Sequence, residues 1–219
     1  MANLNQSSSS IQVPKLSKYM ISFGYFLMGI IVTATMFLSN NNNFSIVSYT
    51  LLSEIIFGVI ISFLHIGFSI FAFPGNSSTL DKINRSLIGL SIGNFVFYFL
   101  LILYGAPFLK SIHTTFFFGF LLSSMCCLPP SILLGLNPQN WKDLFFTPNH
   151  NNIIDTCTTI LVVFSILGAW IGAFPIPLDW DRPWQQWPIS CVFGSIVGHI
   201  FGLFICSVYS LVHKEKKSM

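Results

Sequence analysis

The sequence predicts an all-α, polytopic membrane protein of about six transmembrane helices with both termini cytoplasmic. Three observations carry that expectation. Of 219 residues, 53% are hydrophobic and 8% charged, about a third of the roughly 25% charge of a soluble domain. The mean hydropathy is +0.72, and 24 phenylalanines are too many for one soluble core of this size to hide without large apolar surface patches. The apolar residues also fall into six runs, each close to the 20 or so helical residues that cross a hydrocarbon core.

Taken in order, residues 1–18 are expected to form a disordered cytoplasmic tail. The stretch 1–14 is rich in Ser, Asn and Gln and lacks the sequence of charge, short apolar core and cleavage site that marks a secretory signal. The spans are expected at Tyr19 to Ser39, Tyr49 to Phe73, Ser86 to Tyr104, Ile112 to Leu134, Ile153 to Phe174 and Ile189 to Val212. Together they make one transmembrane bundle over 19–212, followed by a short cytoplasmic tail, 213–219. Between them, Asn40 to Asn43, Pro74 to Asn84, Gly105 to Lys110, Asn137 to Asn152 and Pro175 to Pro188 are rich in breakers or polar residues. None of these connections is long enough to fold as a soluble catalytic domain.

Orientation follows from the lysines and arginines, which are retained on the cytoplasmic side during insertion. One side collects Lys15, Lys18, Lys82, Arg85, Lys142, Lys214, Lys216 and Lys217, the other only Lys110 and Arg182. The connections after the first, third and fifth spans then face the lumen. Asn43-Phe44-Ser45 is a glycosylation sequon on that side, although its loop hugs the membrane. A net charge of +3, concentrated at the chain ends, excludes a nucleic-acid surface.

Within the spans, Ser190, Gly194, Gly198, Gly202, Cys206 and Ser210 recur every fourth residue, a small-residue stripe that lets another helix approach closely. Gly168 and Gly172, and Gly89 and Gly93, repeat the spacing once each. The stripe serves either packing inside the bundle or a separate membrane partner. Glu54 and His65 share a face of the second span, with His199 in the middle of the sixth and Asn94 in the third; ionisable groups at such depth face an interior or a wet cavity. They are candidates for a lipid or ion path, yet no internal repeat of the transporter kind is present. Interhelical hydrogen bonding is the simpler reading. Cys126, Cys127, Cys157, Cys191 and Cys206 have no zinc or redox spacing and read as packing residues.

The most informative stretch is PIPLDWDRPWQQWPIS, from Pro175 to Ser190. Its prolines restrict the backbone, and Trp180, Trp184 and Trp187 suit the headgroup layer. Asp179 and Asp181 flank Trp180 in a D-x-D arrangement that would hold a divalent cation, while the adjacent Arg182 offers a local ion pair instead. No metal site and no cofactor are expected.

GAWIGAFPIPLDWDRPWQQWPIS from Gly168, preceded by LYGAPF from Leu103, resembles the class F protein family of glycosylphosphatidylinositol (GPI) anchor biosynthesis. The likeness covers Leu103 to Gly198 by motif, and the first half by the number and polarity of spans. It implies a multi-pass protein of the endoplasmic reticulum membrane that is not itself catalytic. Its implied role is to bind and stabilise the large multispanning ethanolamine phosphate transferases that modify mannoses of the GPI precursor, with membrane lipid, and the precursor itself, as further contacts. Tyr104, Gly105, Ala106, Pro107, Pro175, Pro177, Asp179, Trp180, Asp181, Arg182, Pro183, Trp184 and Trp187 are then structural or partner-facing, and Gly194, Gly198 and Gly202 pack helices. The rivals are a metal-assisted transferase using Asp179 and Asp181, and a transporter using Glu54, His65 and His199. Lys216 and Lys217, third and fourth from the end, fit a retrieval signal as well as an ordinary positive-inside cluster.

Overall fold

A computed structural model of the chain describes residues 15–41, 46–73, 77–107, 109–146 and 152–213. Eight α-helices occur among them: α1 Lys15–Asn41, α2 Thr50–Ala72, α3 Thr79–Leu103, α4 Ile112–Cys126, α5 Leu128–Leu134, α6 Pro138–Phe146, α7 Ile153–Ala173 and α8 Ile189–Val212. No strand is found among the described residues. Six segments are long and apolar enough to cross a membrane, with α4 and α5 together making one of them. The protein is therefore all-helical with six membrane spans. Asn43, Lys216 and Lys217 lie outside the described residues.

The fourth span breaks at Cys127, and its sequence explains why. Pro129 and Pro130 have no N–H to return to the carbonyls four residues earlier, so the helix ends at Cys126 and restarts at Leu128. This bent span occupies the middle of the bundle. It is 72% buried, against 22% for α3. On one side α4 packs against α2 and α3; on the other, α8 lies between α1 and α7. The two groups meet where α1 touches α2 and α4 touches α7. Phe57, Phe118, Leu121, Met125, Leu161, Ile196 and Leu203 fill the centre, where close packing rather than water exclusion holds membrane helices together.

The third helix starts at Thr79, seven residues before the predicted span. Ser78 caps it, its hydroxyl accepting from the Asp81 backbone N–H at 3.1 Å, so two polar turns precede the apolar run. Lys82, in the second of these turns, is 3% exposed. Its Nζ donates to the carbonyls of Ser69 at 2.8 Å and Phe73 at 2.6 Å, closing the C-terminal end of α2, where the Ser69 carbonyl also accepts the backbone N–H of the capping residue Phe73 at 3.2 Å. The segment 137–152, expected as a loop, contains α6. Pro138 suits the first helical position, and Trp141 and Phe145 stack one turn apart, ring centroids 6.5 Å. Asn140 Nδ2 and Trp141 Nε1 donate to the carbonyls of Leu134 and Gly135 at 2.7 and 2.8 Å, closing the end of α5.

Candidate functional site

The connections α3–α4 and α7–α8 lie at the end of the bundle opposite the termini, because an even number of spans separates Lys15 from Val212. At the first, Tyr104 to Pro107 form a helix stop. The N–H of Gly105 donates to the Ile102 carbonyl and that of Ala106 to the Leu101 carbonyl, each at 3.0 Å, the paired bonds of a Schellman cap. Gly105 has φ +97°, a conformation that a side chain disfavours. Ala106 turns back onto the bundle, buried to 7% exposure, whereas Tyr104 projects outward at 81%. Pro107 follows, exposed, and prevents the helix from continuing.

The segment from Pro175 to Pro188 is held by a residue that the sequence does not single out from its neighbours. Gln185, buried to 7% exposure, donates from Nε2 to the carbonyls of Pro175 and Leu178 at 2.8 and 2.7 Å. Its Oε1 accepts the Arg182 backbone N–H at 2.8 Å. Three points of the loop, Pro175, Leu178 and Arg182, are thereby tied to one side chain. Pro183 opens a single 3-10 turn ending at Gln185. Trp187 then anchors the segment to α4: its Nε1 donates to Thr115 Oγ1 at 3.0 Å, and its ring meets Phe118 edge-on, centroids 5.9 Å apart. Nothing in composition separates Gln185 from Gln186; only its burial under the loop does.

The predicted motif thus divides into two faces. Pro175, Gln185 and Trp187 look inward and make the segment rigid. Asp179, Trp180, Asp181, Arg182 and Trp184 are exposed, as are Pro177 and Pro183. Trp180 and Trp184 stand side by side with ring centroids 5.9 Å apart. Asp181 sits at φ +48°, a left-handed position that Asp tolerates better than most residues. Beside backbone turns such as Leu178 N–H to the Pro175 carbonyl at 3.1 Å, the side-chain hydrogen bonds that order the loop come from Gln185 and Trp187, and Arg182 takes part through its backbone N–H.

Along α8, the small-residue stripe faces α7. A Cβ on Gly194 would strike the carbonyl oxygen of Gly168, and one on Gly198 that of Phe164; Gly172 in turn faces the carbonyl of Ser190. Backbone meets backbone over two helical turns, which only glycine permits. Gly202 is looser, since a Cβ there would lie 3.4 Å from Leu161, an ordinary contact. Gly89 and Gly93 do the same service for α3 against Ser131, Ser123 and Cys127.

Of the intramembrane polar residues, the structure joins two and separates the rest. His65 Nε2 and His199 Nε2 are 3.3 Å apart, and His199 Nδ1 lies 3.0 Å from Ser165 Oγ, so α2, α8 and α7 meet through one polar row. Ser165 was not among the expected residues. Glu54 is eleven residues from His65 along α2, about 16 Å at 1.5 Å per residue; both its carboxyl oxygens are buried without a hydrogen-bond partner. Asn94 faces Gly119 on α4. Among the described residues no three His, Cys, Asp or Glu side chains gather, and all five cysteines are free thiols.

Residues 25–207 match the family model described as GPI biosynthesis protein family Pig-F. The chain belongs to this family. The match reaches back through α1, α2 and α3, beyond the motifs of the second half. Relatives in the Pig-F family include the mouse "GPI ethanolamine phosphate transferase, stabilizing subunit", 38% identical over 61% of this chain and 62% of that protein. The human protein of the same name is 36% identical over 62% of this chain and 65% of its own length. "Glycosylphosphatidylinositol anchor biosynthesis protein 11" of Yarrowia lipolytica is 32% identical over 71% of this chain and 72% of that protein. The chain thus spans just under two thirds of the mouse and human relatives. No solved structure matches it.

Proposed function

We propose that this chain is a non-catalytic stabilising subunit of GPI ethanolamine phosphate transferases, needed for adding ethanolamine phosphate to mannoses of the GPI precursor in the endoplasmic reticulum membrane. The observation that carries the reading is membership of the Pig-F family, with mouse and human relatives named as that stabilising subunit. On this reading both termini are cytoplasmic and the 104–111 and 174–188 connections are luminal, in keeping with the distribution of Lys and Arg. Lys216 and Lys217 serve as a retrieval signal. The exposed face of Trp180, Trp184, Asp179, Asp181 and Arg182, stiffened from beneath by Gln185 and Trp187, meets the transferase or the headgroup of the precursor. Tyr104 and Pro107 present a second outward patch at the same end. Stabilisation follows from mass action, since a subunit that binds the folded partner and not its unfolded form draws the equilibrium towards the folded state.

The experiment compares three quantities in cells lacking this protein and then supplied with variants: partner abundance, copurification in mild detergent, and ethanolamine phosphate transfer. Loss of the chain should lower partner abundance while each surviving partner molecule keeps its activity. For Asp179→Ala with Asp181→Ala, any loss of transfer should track loss of partner protein. Normal partner levels without transfer would sink the accessory-subunit reading and favour metal-assisted chemistry at the two carboxylates.

A further inference from the structure

Beside His65 lies a cavity of about 10 Å³ lined by Tyr25, His65, Phe68 and Ser69, with Pro129 and two further residues of α5. That is about the space one water needs, and such a cavity fills when two or more polar groups face it. Ser69, 2% exposed, has its hydroxyl oxygen buried with no hydrogen-bond partner. His65, the other polar residue of the lining, bonds through Nε2 alone. If Ser165 donates to the Leu161 carbonyl, 2.7 Å away, it accepts from His199 Nδ1; His199 Nε2 is then an acceptor, His65 Nε2 donates to it, and His65 Nδ1 is left as a bare acceptor. If Ser165 instead donates to His199 Nδ1, every role reverses and His65 Nδ1 carries a proton with no acceptor. In both tautomers Nδ1 of His65, 4% exposed, needs a partner that no described residue supplies.

We propose that a single ordered water molecule occupies this cavity, bonded to His65 Nδ1 and Ser69 Oγ, and completes a polar strut that runs Ser165–His199–His65–water–Ser69 across the bundle. The strut links α7 and α8 to α2, helices that otherwise scarcely touch α2. At its far end the carbonyl of Ser69 receives Lys82, so the row continues to the closing residue of α2. Without it the Ser69 hydroxyl is buried and unmet and His65 bonds through Nε2 alone, whereas one water serves both. The site stands apart from the reading as a transferase subunit and would persist were that reading wrong.

The test uses the full chain in lipid bilayers with its histidines labelled with nitrogen-15, and solid-state NMR transfer of magnetisation from water protons to the imidazoles. His65 Nδ1 should receive transfer from a slowly exchanging water, and His199 should not. Ser69→Val fills the cavity and should abolish that transfer while leaving the His199 signals in place. Ser69→Ala keeps the space but removes one partner, and should speed water exchange by roughly threefold to tenfold, the equivalent of one net hydrogen bond. A dry His65 in the parent protein would overturn the proposal, and so would transfer that survives Ser69→Val. Should the valine variant fail to fold, unchanged exchange in Ser69→Ala overturns it equally.

Discussion

Replacing Gly198 by alanine adds one methyl group at the tightest crossing of the bundle. The new Cβ would strike the Phe164 carbonyl oxygen and come within 3.1 Å of the Gly168 Cα. Neither is the free end of a side chain, so α7 and α8 must part by roughly an ångström, which forfeits a quarter to a half of each close contact along the seam. With on the order of 40 atom pairs of about 0.15 kcal/mol each, the loss is about 2 kcal/mol, within the range found when a methyl is forced into a packed core. For a chain of this length that corresponds to a fall in Tm of about 4–8 °C. The assay is thermal unfolding in one detergent, followed by tryptophan fluorescence, with two internal comparisons. Gly202→Ala meets Leu161 at ordinary contact distance, 3.4 Å, and should change little. Gly67 has nothing within 4 Å of its would-be Cβ, so Gly67→Ala should be neutral or raise Tm, alanine being the better helix former by up to about 1 kcal/mol. If all three variants melt together with the parent, backbone contact between α7 and α8 is not what holds them, and the reasoning fails.

Lys82→Met keeps the aliphatic stem but withdraws two charge-assisted hydrogen bonds from the end of α2, and should cost about 2 kcal/mol, read as a Tm lower by about 4–8 °C. Gly105→Ala should cost about 1–2 kcal/mol through its backbone alone, because nothing lies near the added methyl; Gly105→Asn, which tolerates a positive φ, should cost less in the same melt. Trp187→Phe retains the ring against Phe118 and loses the bond to Thr115, so it should cost about 1 kcal/mol and increase protease sensitivity of the 174–188 segment without altering helix content.

The six spans were legible because their information is local: an apolar run of membrane length has no other stable home, and backbone hydrogen bonding in lipid leaves the helix as its form. The stop at Gly105 and Pro107 belongs to the same class, since a glycine followed by a proline constrains its own few residues. Local signals also marked features that the span reading smoothed over, namely the break after Cys126 before two prolines and the start of α6 at Pro138. What the tertiary structure decided was which of several equivalent residues face one another. Composition alone left the glycine stripe of α8 open between a partner and the bundle; in the fold, α7 fills it with Gly168 and Gly172. Glu54 and His65 share a helix face by periodicity, but His65 finds its partner on α8, because a hydrogen bond needs two atoms within about 3 Å and periodicity fixes only direction along one helix. Gln185 and Gln186 are identical in sequence terms, and one becomes the centre of the loop only because the chain folds back over it. Direction along one helix is a property of neighbouring residues; distance between helices is a property of the whole packed bundle.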